Sequence, residues 1–196
     1  PGPIEYIVIS PDSATITTGD SQAYTAEAFD HFGNSLGNVT ADTTFTIEEG
    51  AGGSWDGNTY TSQYTGTWTV TGTYDGFSDT ASLTVEPGPI EYIVISPDDA
   101  TITAGDSIAF NATAYDGYGN SWDVTTETDF EIEPDAGGSW DGNTYTSQYA
   151  GTWIVTGTYD GFFDTASLSV EPGPIEYIVI SPDSATITTG DSQAYT

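Results

Sequence analysis

An internal repeat limits what this chain can fold into more than any other feature. Pro1-Gly2-Pro3-Ile4-Glu5-Tyr6-Ile7-Val8-Ile9-Ser10 returns at Pro87 and again at Pro172, dividing the 196 residues into units of 86 and 85 residues and a final 25. A repeat of this length fits one small β-sandwich per unit, and it sets the domain count more directly than total length does. The one-residue difference falls where Leu36-Gly37-Asn38 faces Trp122-Asp123, as expected for a loop. The expected organisation is a first module at 1–86, a second at 87–171 and the start of a third at 172–196. Pro172 to Thr196 repeats Pro1 to Thr25 letter for letter. Twenty-five residues cannot enclose a core. Either the chain is a window on a longer array, which the Pro-Gly-Pro start without Met favours, or a neighbouring chain completes the terminal strands.

Within the first unit, residues 5–10, 15–17, 21–29, 44–48, 59–62, 67–74 and 80–86 are rich in Thr, Val, Ile and aromatics, which predicts about seven strands. In Thr67-Trp68-Thr69-Val70-Thr71-Gly72-Thr73-Tyr74, large residues alternate with threonine, placing Trp68, Val70 and Tyr74 on one face. Ala81, Leu83 and Val85 repeat the pattern. Such strands pack one face inward and leave the other wet. Asp56-Gly57, Asp75-Gly76, Asp141-Gly142 and Asp160-Gly161 read as two-residue hairpin loops. No helical period occurs. The fold class is therefore all-β, a tandem of immunoglobulin-like β-sandwich modules of about seven strands each. Glu86-Pro87-Gly88-Pro89 and Glu171-Pro172-Gly173-Pro174 are short linkers stiffened by proline, so the array is expected to be a semi-rigid rod.

Composition then limits the partners. Thirty Asp and Glu face no Lys or Arg, for a formal charge of −30. No Lys or Arg salt bridge can form, so each carboxylate must be hydrated, hydrogen-bonded, protonated or neutralised by an external cation. Nucleic acid and anionic membranes are disfavoured as partners for want of positive charge, and no direct membrane insertion is expected, since these residues contain no long apolar run. Divalent cations are favoured. With 36% hydrophobic and 13% aromatic residues placed periodically, the chain is expected to fold despite its charge. It has no cysteine, so neither disulfides nor thiolate metal sites are available.

The residues Ile7-Val8-Ile9-Ser10-Pro11, Ala14-Thr15-Ile16, Gly19-Asp20-Ser21, Tyr24-Thr25-Ala26, Ala28-Phe29-Asp30-His31-Phe32-Gly33-Asn34 and Gly66-Thr67-Trp68-Thr69-Val70-Thr71-Gly72-Thr73-Tyr74 resemble the bacterial Ig-like (Big) domain family of bacterial and archaeal surface proteins. The resemblance spans both units and the fragment. It implies sandwich spacers of adhesins, surface layers and surface enzymes, and supplies no catalytic residue. The loss of every Lys and Arg and the near-identity of the copies depart from the family and point toward a dedicated fibre.

Two groups of oxygen ligands are candidate calcium sites. One is the loop Asp30-His31-Phe32-Gly33-Asn34, repeated as Asp116-Gly117-Tyr118-Gly119-Asn120, with Asp30, Asn34, Asp116 and Asn120 as ligands. The alternative for this loop is a turn in which Asp and Asn bond backbone amides. The other group flanks the linkers, Glu86 with Glu91 and Glu171 with Glu176, joined by Asp12, Asp20, Asp98, Asp99 and Asp106 near strand ends. There calcium would bridge modules or chains, against the alternative of a merely solvated acidic surface. Trp55, Trp122 and Trp140 lie near loops and could stack on sugars, although core packing is the simpler reading. His31, which Gly117 replaces in the second unit, is read as incidental. Asn38-Val39-Thr40 and Asn111-Ala112-Thr113 match the N-glycosylation pattern at different places in the two units.

The expected function is structural rather than enzymatic: rigid repeats in an extracellular, cell-surface filament, stalk or surface-layer element, self-associating and stabilised by calcium between modules or chains. The second reading is an adhesin or stalk that binds surface glycans by multivalency, and the third is the accessory domain of an enzyme.

Overall fold

The computed structural model describes residues 2–196. The first module contains ten strand segments: β1 (Ile4–Ser10), β2 (Ser13–Thr17), β3 (Ser21–Ala23), β4 (Thr25–Asp30), β5 (Ser35–Asn38), β6 (Thr44–Ile47), β7 (Ser54–Asp56), β8 (Thr59–Thr61), β9 (Gly66–Tyr74) and β10 (Phe77–Glu86). One layer is the sheet β2-β10-β9-β6, in which β2 runs parallel to β10 and the other neighbours are antiparallel. The other layer consists of β1-β4-β5 and β3-β8-β7. The strand expected over residues 21–29 is interrupted at Tyr24, where its partner changes from β8 to β1. The first strand likewise passes from one layer to the other between Ser10 and Ser13.

Alternation explains the layers. In β9, Val70 and Gly72 are buried and Trp68 and Tyr74 half-buried, while in β10 Ala81, Leu83 and Val85 are buried between more exposed neighbours. They close on Ile7, Ile9, Ala26 and Ala28 from the opposite layer. Gly72 leaves room for this contact, because a Cβ there would lie 2.6 Å from Ile9 Cγ2. One end of the core is filled by Tyr24, Phe45, Trp55 and Tyr60, with ring centroids 5.2–6.2 Å apart. Trp55 thus packs into the module. Its counterpart Trp140 does the same against Phe110, Phe130 and Tyr145, and Trp122 packs at the edge of the second core.

The turns hold one correction. Asp75-Gly76 forms the expected loop, with φ of 48° and 86° and Tyr74 paired to Phe77. Asp56, however, is the last strand residue, paired with Thr59, and the loop is Gly57-Asn58 with only Gly57 at positive φ. Glycine at the first central position is the requirement of a type II′ turn. Gly142-Asn143 repeats it in the second module.

The second module repeats this plan as β11 (Ile90–Ser96), β12 (Asp99–Thr103), β13 (Ser107–Ala109), β14 (Asn111–Asp116), β15 (Ser121–Asp123), β16 (Asp129–Ile132), β17 (Ser139–Asp141), β18 (Thr144–Thr146), β19 (Gly151–Tyr159) and β20 (Phe162–Glu171). Its core is a separate cluster around Ile93, Phe110, Tyr145, Val155 and Leu168. Residues 172–196 form no strand. Ile178 and Ile180 are 79% and 59% exposed there, whereas their counterparts Ile7 and Ile9 are 3% and 2% exposed. Ser181 and Thr196 nonetheless exchange both backbone hydrogen bonds, at 3.0 and 2.9 Å, as the paired residues Ser10 and Thr25 stand in the first module.

Candidate module junction

The loop between β14 and β15 reaches across to the first module. Asp116, 1% exposed, is the pivot. Its Oδ1 accepts hydrogen bonds from Tyr118 N, Asn120 N and Asn120 Nδ2 at 2.9–3.1 Å. Its Oδ2 accepts from Thr18 Oγ1 at 2.7 Å, Gly88 N at 3.1 Å and Asn120 Nδ2 at 3.0 Å. Thr18 belongs to the first module and Gly88 to the linker, so one carboxylate ties together three parts of the chain. Asn120, 8% exposed, adds two links: its Nδ2 donates to Gln63 O at 3.0 Å and its Oδ1 accepts from Thr65 N at 3.0 Å. Tyr118 lies against Gly19, where a Cβ would come within 2.4 Å of the phenol oxygen. Gly19, at φ 87°, therefore serves both the turn and the close approach.

These bonds set the charge state of the site. Burial pushes the Asp116 carboxyl up, but hydrogen bonds from Thr18, Gly88 and Asn120 outweigh it and hold the group down at about 2. The junction thus keeps a buried negative charge satisfied by neutral donors alone.

The same loop in the first module is built alike but stands apart from any other module described here. Asp30, 3% exposed, accepts from Phe32 N and Asn34 N at 3.0 Å, from Asn34 Nδ2 at 3.0–3.1 Å and from Gly2 N at 3.4 Å. Hydrogen bonds from Asn34 are the main cause that lowers this carboxyl to about 2. Asn34 is exposed, unlike Asn120. Of the two readings of this loop, the hydrogen-bonded turn is the arrangement present in both modules, and in the second its oxygens are engaged by the neighbouring module.

The remaining cation candidates are dispersed. Glu86, Glu91, Glu171, Glu176, Asp12, Asp98 and Asp99 are exposed, and the main-chain carbonyls of Asp12 and Asp98 accept from Ser82 and Ser167. Asp20 accepts from Thr17 Oγ1 at 2.5 Å, a bond that lowers its carboxyl, and Asp106 accepts from Thr103 N at 3.3 Å. Among the described residues, no three His, Cys, Asp or Glu side chains converge as a metal site would require. The exposed His31 lies 3.9 Å from Glu5. Thr18, Gln63 and Thr65 carry no local sequence signal of a site, and Tyr118, within the candidate loop, carries none of its approach to Gly19. Among the described residues no helix is long and apolar enough to cross a membrane.

No protein-family model matches the chain, nor does any curated protein sequence. Similar solved structures include invasin, described as a bacterial integrin-binding protein, at 18% identity and a TM-score of 0.51, covering 85% of this chain and 40% of that one. The S-layer protein SbsC, domains 4 and 5, is 18% identical at a TM-score of 0.41 and covers 87% and 100%. The N-terminal four Ig domains of Dscam1 are 11% identical at a TM-score of 0.44 and cover 88% and 47%. The chain therefore spans less than half of the invasin structure. The likeness to invasin shows the fold, so the resemblance to bacterial Ig-like domains is resolved to an immunoglobulin-like β-sandwich repeated in tandem.

Proposed function

We propose that this chain is a segment of an extracellular filament or stalk in which each module docks end to end on its predecessor through the Asp-x-(aromatic)-Gly-Asn loop. The observation that carries this reading is the buried Asp116 carboxylate, bonded at once to Thr18, the linker and its own loop. A flexible bead chain has no use for such a group. Burying a charge is tolerated only where it is fully hydrogen-bonded, and that satisfaction requires one orientation of the two modules. The mechanism is mechanical: each core folds within its own unit, and the junction transmits orientation to the next. Self-association of such segments gives a rod or array at the cell surface. Calcium enters as a counterion to the exposed carboxylates, reducing repulsion between chains, while the junction oxygens are committed to protein donors.

Small-angle scattering on the chain and on the G19A/N120A variant tests the docking. The wild type is expected to scatter as two modules at one fixed angle, and the variant as a hinged pair with a broadened distance distribution. Identical curves would refute the docked junction. Electron microscopy of the natural assembly with and without a chelator tests the rest. Straight rods that separate laterally on chelation support the counterion role, and unchanged lateral packing removes it.

A further inference from the structure

The two Asn-x-Thr patterns occupy non-equivalent places in the aligned modules, since the counterpart of Asn38 is Asp123 and the counterpart of Asn111 is Thr25. The fold nevertheless brings them to one spot. In the second module a cleft of about 490 Å³ is lined by both Asn111 and Asp123, with Thr125 and Asn143. In the first module a cleft of about 360 Å³ is lined by Asn38, Thr40 and Asn58, the counterparts of Asp123, Thr125 and Asn143. Strand pairing explains the coincidence. Thr113 of β14 faces Asp123 of β15, and Val124 N donates to Ala112 O at 2.9 Å, so the stretch from Asn111 to Thr113 runs beside the end of β15.

Each module thus presents one acceptor asparagine at this cleft, from β5 in the first and from β14 in the second. The alternative position is closed in each. Thr25-Ala26-Glu27 has neither Asn at its first position nor Ser or Thr at its third, and Asp123-Val124-Thr125 lacks only the amide. Asn38 and Asn111 are exposed. Asn38 Oδ1 accepts from Thr40 N at 3.0 Å, which orients the side chain. The clefts lie on the flank, midway between the module ends: Asn111 pairs with Ser96, and its counterpart Thr25 with Ser10, where the first strand changes layer. The junction lies at the ends.

We propose that each module carries one N-linked glycan at this flank cleft, on Asn38 in the first and Asn111 in the second, transferred from an oligosaccharide activated on a phosphate carrier. Nδ2 bonds to the anomeric carbon as the bond from that carbon to the phosphate oxygen breaks. The phosphate leaves with the electron pair, and the proton lost from Nδ2 passes to solvent. A glycan here projects sideways from the rod, leaves the docking ends free and covers the edge strand β5 against pairing with another chain.

Glycopeptide mass spectrometry of the protein from its natural source is expected to show a glycan on both Asn38 and Asn111, and finding both unmodified would overturn the proposal. In a secreting host that glycosylates the wild-type chain, N38Q and N111Q are each expected to lose one glycan mass while circular dichroism stays unchanged. The exchange N111T/D123N writes the first module's arrangement into the second and is expected to regain the glycan at position 123. D123N alone offers two acceptors on one cleft and is expected to carry a single glycan there. A second glycan on that module in D123N, or none in the exchange variant, would show that the two patterns are not one site.

Discussion

Replacing Thr18 by alanine removes a single hydroxyl from the junction, and the second module already carries alanine, Ala104, at the corresponding place. The hydroxyl donates to Asp116 Oδ2 at 2.7 Å from a residue that is 6% exposed. A hydrogen bond to a charged group contributes about 1.5–3 kcal/mol, and water cannot readily replace it in so enclosed a site. Asp116 keeps its bonds from Gly88, Tyr118 and Asn120, so the low end applies, about 1.5 kcal/mol of docking energy, or roughly tenfold in the ratio of docked to undocked modules. Residual dipolar couplings measure this directly. In the wild type both modules should share one alignment tensor, and in T18A the tensors should diverge as the undocked population rises about tenfold. The Asp116 carboxyl, followed by carbon NMR, should at the same time titrate at a higher pH, moving from about 2 toward 3.8. T101A, on an exposed face of β12, is the control and should change neither. If T18A leaves both the couplings and the titration as they were, Asp116 does not hold the modules together.

Acid should loosen the same junction. The Asp116 carboxyl is lowered in the folded chain, so its contribution is complete above the ordinary value of 3.8 and disappears as pH falls toward about 2. Scattering profiles recorded between those limits should show hinging while circular dichroism still reports folded modules, and no change in scattering would contradict this. Tyr24→Phe should stabilise the first module by about 1–2 kcal/mol, because the buried Tyr24 hydroxyl has no hydrogen-bond partner among the described residues and the second module carries Phe110 there. Equal or lower stability in urea unfolding would refute that account. Leu83→Ala, at a position with no exposed surface, should cost the first module about 2–5 kcal/mol. Hydrogen exchange should then rise in β6, β9 and β10 and far less in β16, β19 and β20; equal losses in both would mean that the cores are not independent.

What could be read from the sequence was whatever depends on neighbours along the strand or within one turn. The alternation from Trp68 to Tyr74 fixes which face is buried, and Asp75-Gly76 fixes a hairpin because both positions need positive φ. The adjacent hairpin was displaced by one residue, since Asp-Gly-Asn offers two turn pairs and only the Asp56 to Thr59 register decides between them. The interruption at Tyr24 left no local trace, as it marks a change of partner strand rather than of composition. The loops at Asp30 and Asp116 could be recognised as Asp/Asn turns or as oxygen-ligand sites, but not as a junction. Thr18 and Gln63 stand 98 and 57 residues before their partners Asp116 and Asn120, and no periodicity links them.

The hydrogen bonding of Asp116 at the junction follows a pattern that extends through both modules. A chain without Lys or Arg still has an abundant supply of positive hydrogen-bond dipoles in its backbone, and its acids use them. Asp79 Oδ2 accepts from Ile9 N at 2.8 Å, joining β10 to β1 across the two layers, and Asp164 does the same for Ile95 at 2.9 Å. Glu48 accepts from Thr69 N and Glu133 from Ile154 N, each just past the end of β6 or β16, where the neighbouring strand would otherwise leave a donor unpaired. Asp116 extends the device from within a module to between modules. The amides and the hydroxyl that hold this carboxylate are all supplied by the chain, although the second module carries Ala104 where the first has Thr18. Those exposed acids that no donor claims keep their repulsion. On the proposed reading, end-to-end docking rests on these hydrogen bonds and side-by-side association on counterions, so the two should respond separately to acid and to chelation.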